Sequence, residues 1–304
     1  MSDDRLLIVG TGAMACLFAG LLAEAADVTL LGTWSEGIQA VNASGIRLHT
    51  EGGERALRVG ATDDPRTCAG IRRALVLVKA WQTPRAAEQL RQCLAPDGVA
   101  LSLQNGVGNW EILCESLGEA RGAAGVTRMG AMLLAPGVVR LGGRGPTTLG
   151  AHERLGPLEQ CLHAGGLEIE RVGDLAGVLW GKLAVNAGIN PVSALLRLRN
   201  GELLQRPGAR AVMRQAAAEV QTVAAAMGIA LPFPDAAEQA ESAALASADN
   251  SSSMLQDVRR GARTEIDAIN GAVVRMAEVD GVQAPVNRLL WQLVSAMTPG
   301  EASQ

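Results

Sequence analysis

The run Leu6-Leu7-Ile8-Val9 passes directly into Gly10-Thr11-Gly12-Ala13-Met14-Ala15 and then into an apolar-periodic stretch that ends near Leu22. An apolar strand, a glycine turn and a helix in that order open a βαβ unit, which commits the chain to a parallel sheet covered by helices. Gly10 permits the tight turn. Gly12 lets the backbone and the unpaired N–H groups of the helix start approach a pyrophosphate, and Ala15 stands where a third glycine is usual. Glycine turns also follow strands that bind nothing, so the strand, turn and helix context carries the nucleotide reading.

From residue 5 to about 172 short apolar runs alternate with helical patterns, as in successive βαβ units. Strands are expected at Leu6–Val9, Val28–Leu31, Ala74–Val78, Val99–Leu103, Ala123–Val126, Met132–Leu134, Val138–Leu141, Thr147–Leu149 and Glu168–Val172, and a helix at about Leu155–Ala164. Some of the later runs are expected to pair antiparallel at the sheet's edge. After Gly173 long Ala- and Leu-rich helical periods take over, at about 177–195, 207–227, 235–246, 254–278 and 287–298. The fold class is therefore an α/β Rossmann-type N-terminal domain with a parallel sheet (residues 1–172) followed by an all-α C-terminal domain (residues 173–304). Pro299 to Gln304 read as a frayed tail.

Composition narrows the chemistry. The 304 residues are 48% apolar and 19% charged, which places the chain among globular proteins rather than disordered ones. There is no Tyr, which excludes a dehydrogenase that uses Tyr as its acid, and His49, His152 and His163 are the only histidines. Of 27 basic residues only Lys79 and Lys182 are lysine. Cys16, Cys68, Cys93, Cys114 and Cys161 are scattered, with no C-x-x-C pair, and read as reduced buried thiols; neither a disulfide framework nor a metal site is expected. A net charge of -4 gives no field for nucleic acid. No apolar run reaches the ~18 residues of a membrane span, and Met1 to Arg5 carries two Asp instead of a signal peptide's basic start, so a cytoplasmic protein is expected.

The segment Leu175 to Leu196 is apolar around nearly its whole circumference yet carries Lys182, Asn186 and Asn190. Spacings of four put the three on one stripe of a helix. Burying such groups unpaired costs ~1–3 kcal/mol each, and more for the ammonium, so partners or a ligand must satisfy them. Two readings follow: an interdomain hydrogen-bond network, or a site facing a cleft. In the second, Lys182 is placed to give a proton to an alkoxide as hydride arrives from a nicotinamide, while the amides orient a carboxylate or hydroxyl. Pro191 withholds the helical donor from the carbonyl of Ala187, so a kink is expected at the stripe.

The second strand, Val28–Leu31, runs into Gly32, Thr33 and Trp34, with neither the acid of an NAD site nor the Arg of an NADP site; Glu36 comes late. Thr33 and Ser35 offer hydroxyls to a 2′-phosphate, which favours NADP(H) mildly.

Five motifs in order, Gly10-Thr11-Gly12-Ala13-Met14, Val78-Lys79-Ala80-Trp81-Gln82-Thr83, Gln104-Asn105-Gly106-Val107-Gly108, Trp180-Gly181-Lys182-Leu183-Ala184-Val185-Asn186 through Asn190-Pro191, and Asn250 to Asp257 with Thr264 to Gly271, resemble those of the ketopantoate reductases. The resemblance spans almost the whole chain. It implies a C-terminal domain like that of 6-phosphogluconate dehydrogenase and NADPH-dependent reduction of 2-dehydropantoate to pantoate, a step toward pantothenate and coenzyme A, in a cleft between the two domains. It also implies Lys182 as proton donor and Asn186, Asn190, Ser253 and Asn105 about the substrate, with Asn105 reaching the nicotinamide as well. Glu265 would lie near the cofactor ribose and the catalytic lysine. Gly10, Thr11, Gly12, Ala13, Met14 and Ala15 would take the pyrophosphate, Lys79 and Gln82 would line the cofactor side, and Ala131 would add a backbone contact. Local alternatives stand beside these roles: Ser253 as a helix N-cap, Asn105 as a turn former, and Lys79 as a strand-end lysine reaching solvent. Whole-chain alternatives are a reductase or dehydrogenase of another branched 2-oxo or 3-hydroxy acid, and a non-catalytic NADP-binding regulator. The expected partner is a small 2-oxo acid; a homodimer through the helical domain is left open.

Overall fold

The computed structural model describes residues 4–297, so the expected tail from Pro299 lies outside the described residues. Contacts divide the chain into two units. One contains the residues up to Gln104 and Asn109–Leu175; the other contains Asn105–Gly108 and the chain from Ala176 onward.

The first unit runs β1 (Arg5–Val9), α1 (Ala13–Leu22), β2 (Asp27–Leu31), α2 (Ser35–Ser44), β3 (Ile46–Thr50), β4 (Gly53–Leu57), β5 (Gly60–Thr62), β6 (Ile71–Val76), α3 (Thr83–Cys93), β7 (Leu94–Ser102), α4 (Asn109–Leu117), β8 (Gly122–Thr127), β9 (Gly130–Ala135), β10 (Val138–Gly143), β11 (Thr147–Gly150), α5 (Gly156–Ala164) and β12 (Ile169–Val172). Its main sheet has the order β12-β11-β8-β7-β6-β1-β2-β5. The strands from β5 to β8 pair in parallel, and β11 joins β8 antiparallel. Leu6 to Val9 are all buried, which explains why β1 reads as an unbroken apolar run: helices cover both faces of a central parallel strand. β1 and β6 are neighbours while the chain between them passes through β2 and β5, so the strand order reverses there. In open α/β sheets the ligand crevice lies at the carboxyl ends of the strands flanking such a reversal.

β9 and β10 do not extend the main sheet; they join β3 and β4 in a separate sheet of order β4-β3-β10-β9. β3, β4 and β5 carried no strand expectation. In β3 only the alternate residues Ile46 and Leu48 are buried, β4 is exposed except at Leu57, Arg47 bonds Glu54 across the β3–β4 ladder, and β5 is only three residues long. The Ile46 and Leu48 side chains pack at Gly20 of α1, where a Cβ would stand 3.2 Å from Ile46.

The second unit, apart from Asn105–Gly108, is helical: α6 (Leu175–Leu196), α7 (Asn200–Leu204), α8 (Pro207–Ala226), α9 (Ala236–Ala246), α10 (Ser253–Arg259), α11 (Asn270–Val279) and α12 (Pro285–Met297). It has its own core, in which α6 contributes Leu183, Ala184 and Ala187, α8 contributes Met213 and Val220, and α11 contributes Val273. The expected single helix over 254–278 is instead two, α10 and α11, joined by residues 260–269. Gly261 stops α10: at φ +64 it takes the left-handed conformation, its N–H bonds Val258 O at 3.1 Å, and Ala262 N–H bonds Asp257 O at 2.9 Å. That pair of bonds is a Schellman stop. No helix among the described residues is long and apolar enough to cross a membrane.

Candidate active site

In the first unit, Gly10 has φ +134, its N–H bonds Leu31 O at 2.7 Å, and a Cβ there would lie 3.1 Å from the Leu77 carbonyl. Glycine is required at this position by the protein's own backbone. Gly12 differs, because a Cβ on it would meet nothing within 4 Å. Gly12 is also the N-cap of α1, which has no side-chain cap and no acid in its first turn. The helix start therefore presents bare N–H groups over open space, which is what a pyrophosphate needs. Thr11 is buried with its side chain under Gly32, Ala13 and Met14 are half-buried, and Ala15 is buried beneath Gly10, where the missing Cβ makes room for its methyl.

Lys79 and Gln82 follow β6, at the same carboxyl edge of the sheet as Gly10, and both are half-buried. Gln82 Oε1 accepts from the Lys79 backbone N–H at 3.2 Å and so closes the turn. Below them Gln104 donates through Nε2 to Val78 O at 3.0 Å and to Thr83 Oγ at 2.8 Å, tying the ends of β6 and β7 together. Ala131 lies on β9, opposite Leu141 of β10. At the end of β2, Thr33 and Ser35 are exposed, and Trp34 packs its ring on Gly37.

In the second unit α6 continues as helix through Pro191, with Lys182 and Asn186 half-buried and Asn190 only 5% exposed. Gly181 beside Lys182 admits the Pro232-Phe233 loop, for a Cβ there would stand 2.9 Å from Pro232. The stripe does not end at Asn190. Ser193 Oγ donates to Asn190 O at 3.0 Å and lies 2.5 Å from Ser252 Oγ, and Ser252 Oγ in turn accepts the Leu255 N–H at 3.1 Å. Ser252 is thus the N-cap of α10. The capping alternative for Ser253 is corrected by one residue: Ser253 is the exposed first residue of α10 and does not cap it.

Asn105 and Glu265 meet: Asn105 Nδ2 donates to Glu265 Oε2 at 3.3 Å. Glu265 is 6% exposed, a buried carboxylate rather than a solvated one. The turn beside Asn105 is made by Gly106, at φ +82 and so close to Ala268 that a Cβ would lie 2.4 Å from its carbonyl oxygen. The Asn105 side chain bonds Glu265, while Gly106 supplies the left-handed residue of the turn.

Several polar residues of this unit carried no expectation. Asn200, the first residue of α7, donates to Ser247 Oγ at 2.8 Å while its buried Oδ1 has no partner. Among the described residues no three His, Cys, Asp or Glu side chains gather in a way that holds a metal ion.

A dinucleotide-type α/β unit together with a helical unit bearing a Lys-Asn-Asn stripe defines a class, the two-unit oxidoreductases. Comparison narrows it. Residues 6–154 match the family model described as Ketopantoate reductase PanE/ApbA, and residues 174–298 match its C-terminal counterpart. The 2-dehydropantoate 2-reductase of Halobacterium salinarum is 37% identical over 95% of this chain and 97% of its own length. That of Archaeoglobus fulgidus is 37% identical over 99% and 100%. A crystal structure of a PanE/ApbA family ketopantoate reductase from Ralstonia eutropha superposes with a TM-score of 0.90 at 35% identity, covering 97% of this chain and 98% of that one. D-mandelate dehydrogenase with NADH and anilino(oxo)acetate also superposes at 0.90, with 25% identity and coverage of 97% and 98%. The chain belongs to the ketopantoate reductase family.

Proposed function

We propose that the protein reduces 2-dehydropantoate to (R)-pantoate with NADPH, with Lys182 as general acid, in the cytoplasm and toward pantothenate and coenzyme A. The observation that carries this reading is the Lys182, Asn186 and Asn190 stripe on an otherwise apolar α6, in the unit that also holds the half-buried Asn105 bonded to the buried Glu265. The substrate is taken from the relatives that bear the name 2-dehydropantoate 2-reductase.

When bound, a nicotinamide would supply the hydride that the carbonyl carbon of the 2-oxo acid takes up. Gly10 through Ala15 would hold the pyrophosphate on the bare N–H groups of α1, Lys79 and Gln82 would line the cofactor side, and Ala131 would add a backbone contact. Lys182 gives its proton to the carbonyl oxygen, which becomes the hydroxyl, and the neutral amine takes a proton back from solvent. Arginine cannot do this near neutral pH, since its pKa exceeds ~12. Asn186 and Asn190 each offer an amide donor and an acceptor to the substrate, and Ser253 adds a hydroxyl. Glu265 accepts from the amide of Asn105 and so orients the side chain that would lie between substrate and nicotinamide.

Thr33 and Ser35 bind the 2′-phosphate in this reading. A second reading, NADH with another 2-oxo acid, is favoured by the lack of an Arg after β2 and by the likeness to a D-mandelate dehydrogenase bound to NADH. Steady-state oxidation of NADPH and of NADH with ketopantoate, phenylglyoxylate and a few aliphatic 2-oxo acids separates them. The first reading expects the highest kcat/KM with ketopantoate and NADPH. A higher value with phenylglyoxylate and NADH selects the second, and no turnover with any pair rejects both in favour of a non-catalytic nucleotide-binding protein.

A further inference from the structure

A proline inside a helix withholds one N–H, and the carbonyl four residues earlier is left without its bond. In α6 that carbonyl is Ala187 O, which lies between Asn186 and Asn190 on the very turn that sets the two amides in register. The bond is replaced from 83 residues away: Asn270 Nδ2 donates to Ala187 O at 3.1 Å. The second proton of the same amide goes to Asn287 Oδ1 at 2.9 Å. Asn287 Nδ2 donates in turn to Ala216 O at 3.0 Å and to Glu219 Oε2 at 2.8 Å. Because the series ends on a backbone carbonyl and a carboxylate, which only accept, the orientation of both amides is fixed.

Two further facts set Asn270 apart from an ordinary buried amide. It is 0% exposed, and its Oδ1 is buried with no partner, a burden of ~1–3 kcal/mol that the fold carries in order to aim both protons. It is also the first residue of α11, on the segment that bears Glu265, where the Ala268 and Ile269 N–H groups both bond Glu265 O at 3.1 Å. One side chain thus links the polar stripe of α6 to the segment that carries the Asn105–Glu265 pair.

We infer that Asn270 is a positioning residue for the reduction: its amide stands in for the helix N–H that Pro191 lacks and holds Asn190 in register with Asn186 and Lys182. This rests on the reading of those three residues as the reducing stripe. Positioning errors of about 1 Å cost up to about 100-fold in rate, so the effect is measurable without any contact between Asn270 and substrate.

The test uses the full chain as wild type, Asn270→Ala, Pro191→Ala and the double variant, each assayed for ketopantoate and NADPH turnover, for NADPH affinity by fluorescence, and for thermal unfolding. Asn270→Ala is expected to lower kcat/KM about 10- to 100-fold, mainly through KM for the 2-oxo acid, with NADPH affinity within about twofold of wild type. Pro191→Ala returns an N–H to Ala187 O, so the double variant is expected to recover to the level of Pro191→Ala alone. A purely structural role predicts additive losses in the double variant, and that result overturns the inference, as does an Asn270→Ala enzyme with unchanged KM. If Asn270→Ala does not fold, Asn270→Ser and its double with Pro191→Ala are compared by the same two criteria. A wild-type chain that turns over no 2-oxo acid overturns the functional reading and this inference with it; an active wild type indifferent to Asn270 overturns the inference alone.

Discussion

With no tyrosine in the chain and only two lysines against 25 arginines, proton donation at neutral pH has few carriers, and Lys182 is the one on a half-buried polar stripe. Lys182→Ala is expected to lower kcat by about 10²- to 10⁴-fold while NADPH still binds, and Lys182→Arg is not expected to restore it. Steady-state turnover with a parallel fluorescence titration of NADPH checks both; near-normal turnover in Lys182→Ala removes the general-acid role. Cofactor choice is a second residue-scale question. Thr33 is exposed at the end of β2, and Thr33→Arg brings a guanidinium to the position where a 2′-phosphate clamp is usual. The variant is expected to raise the ratio of kcat/KM for NADPH over NADH about tenfold, and an unchanged ratio places the 2′-position elsewhere. The stripe was legible in the sequence because three polar residues at spacings of four stand out against an apolar helix. Asn270 and Ser193 were not, since each acts through a partner far off in the chain, 83 and 59 residues away, and no local pattern encodes such pairs.

At the scale of elements, β1, α1 and the parallel strands β2, β6, β7 and β8 could be read directly, because a strand buried on both faces is an apolar run bounded by turns. β3 and β4 could not. One of their faces is charged, and its Arg47–Glu54 pairing becomes visible only once the hairpin is formed. The join between α10 and α11 misled for the opposite reason. Met254, Val258, Ile266, Ile269 and Val273 keep a helix-like apolar spacing across it, and only Gly261 after two arginines marked the stop. α12 shows how a helix start is held when its own sequence lacks a cap. Its first turn carries no acid, and Glu219 of α8 accepts instead the N–H groups of Val286 and Asn287, both at 2.9 Å, together with the Asn287 amide. Glu219→Ala is expected to lower the unfolding free energy by ~2 kcal/mol, since three donors lose their acceptor in a packed interface. Urea unfolding measures this. A loss under about 0.5 kcal/mol, the scale of a neutral surface substitution, means that solvent replaces the carboxylate.

For the molecule as a whole, the bias toward arginine shows in how carboxylates are paired. Glu54, Asp64, Glu88, Glu159 and Glu241 are all held below the usual carboxylate range by hydrogen bonds from arginines. Most of these pairs are exposed and contribute little, because water and salt screen them. Glu241 of α9 differs: its side chain is 17% exposed, it takes Arg210 Nε at 2.5 Å and Arg214 Nη1 at 2.9 Å from α8, and its pKa is pushed down to about 2. A carboxylate whose folded pKa lies below its unfolded value of about 4.3 stabilises the fold fully above that value and loses the contribution as pH falls toward the folded one. The α8–α9 pair is therefore expected to lose support between about pH 4.3 and pH 2, and not on the alkaline side. Glu241→Gln is expected to lower stability by roughly 1 kcal/mol at pH 7, a figure reduced for the solvent around the two guanidinium groups, with the difference from wild type shrinking to nothing near pH 2. Thermal unfolding of both proteins across that range decides it: two curves that coincide from pH 7 downward would mean that packing of the glutamate stem between α8 and α9, which Gln keeps, rather than its charge, holds the helices together.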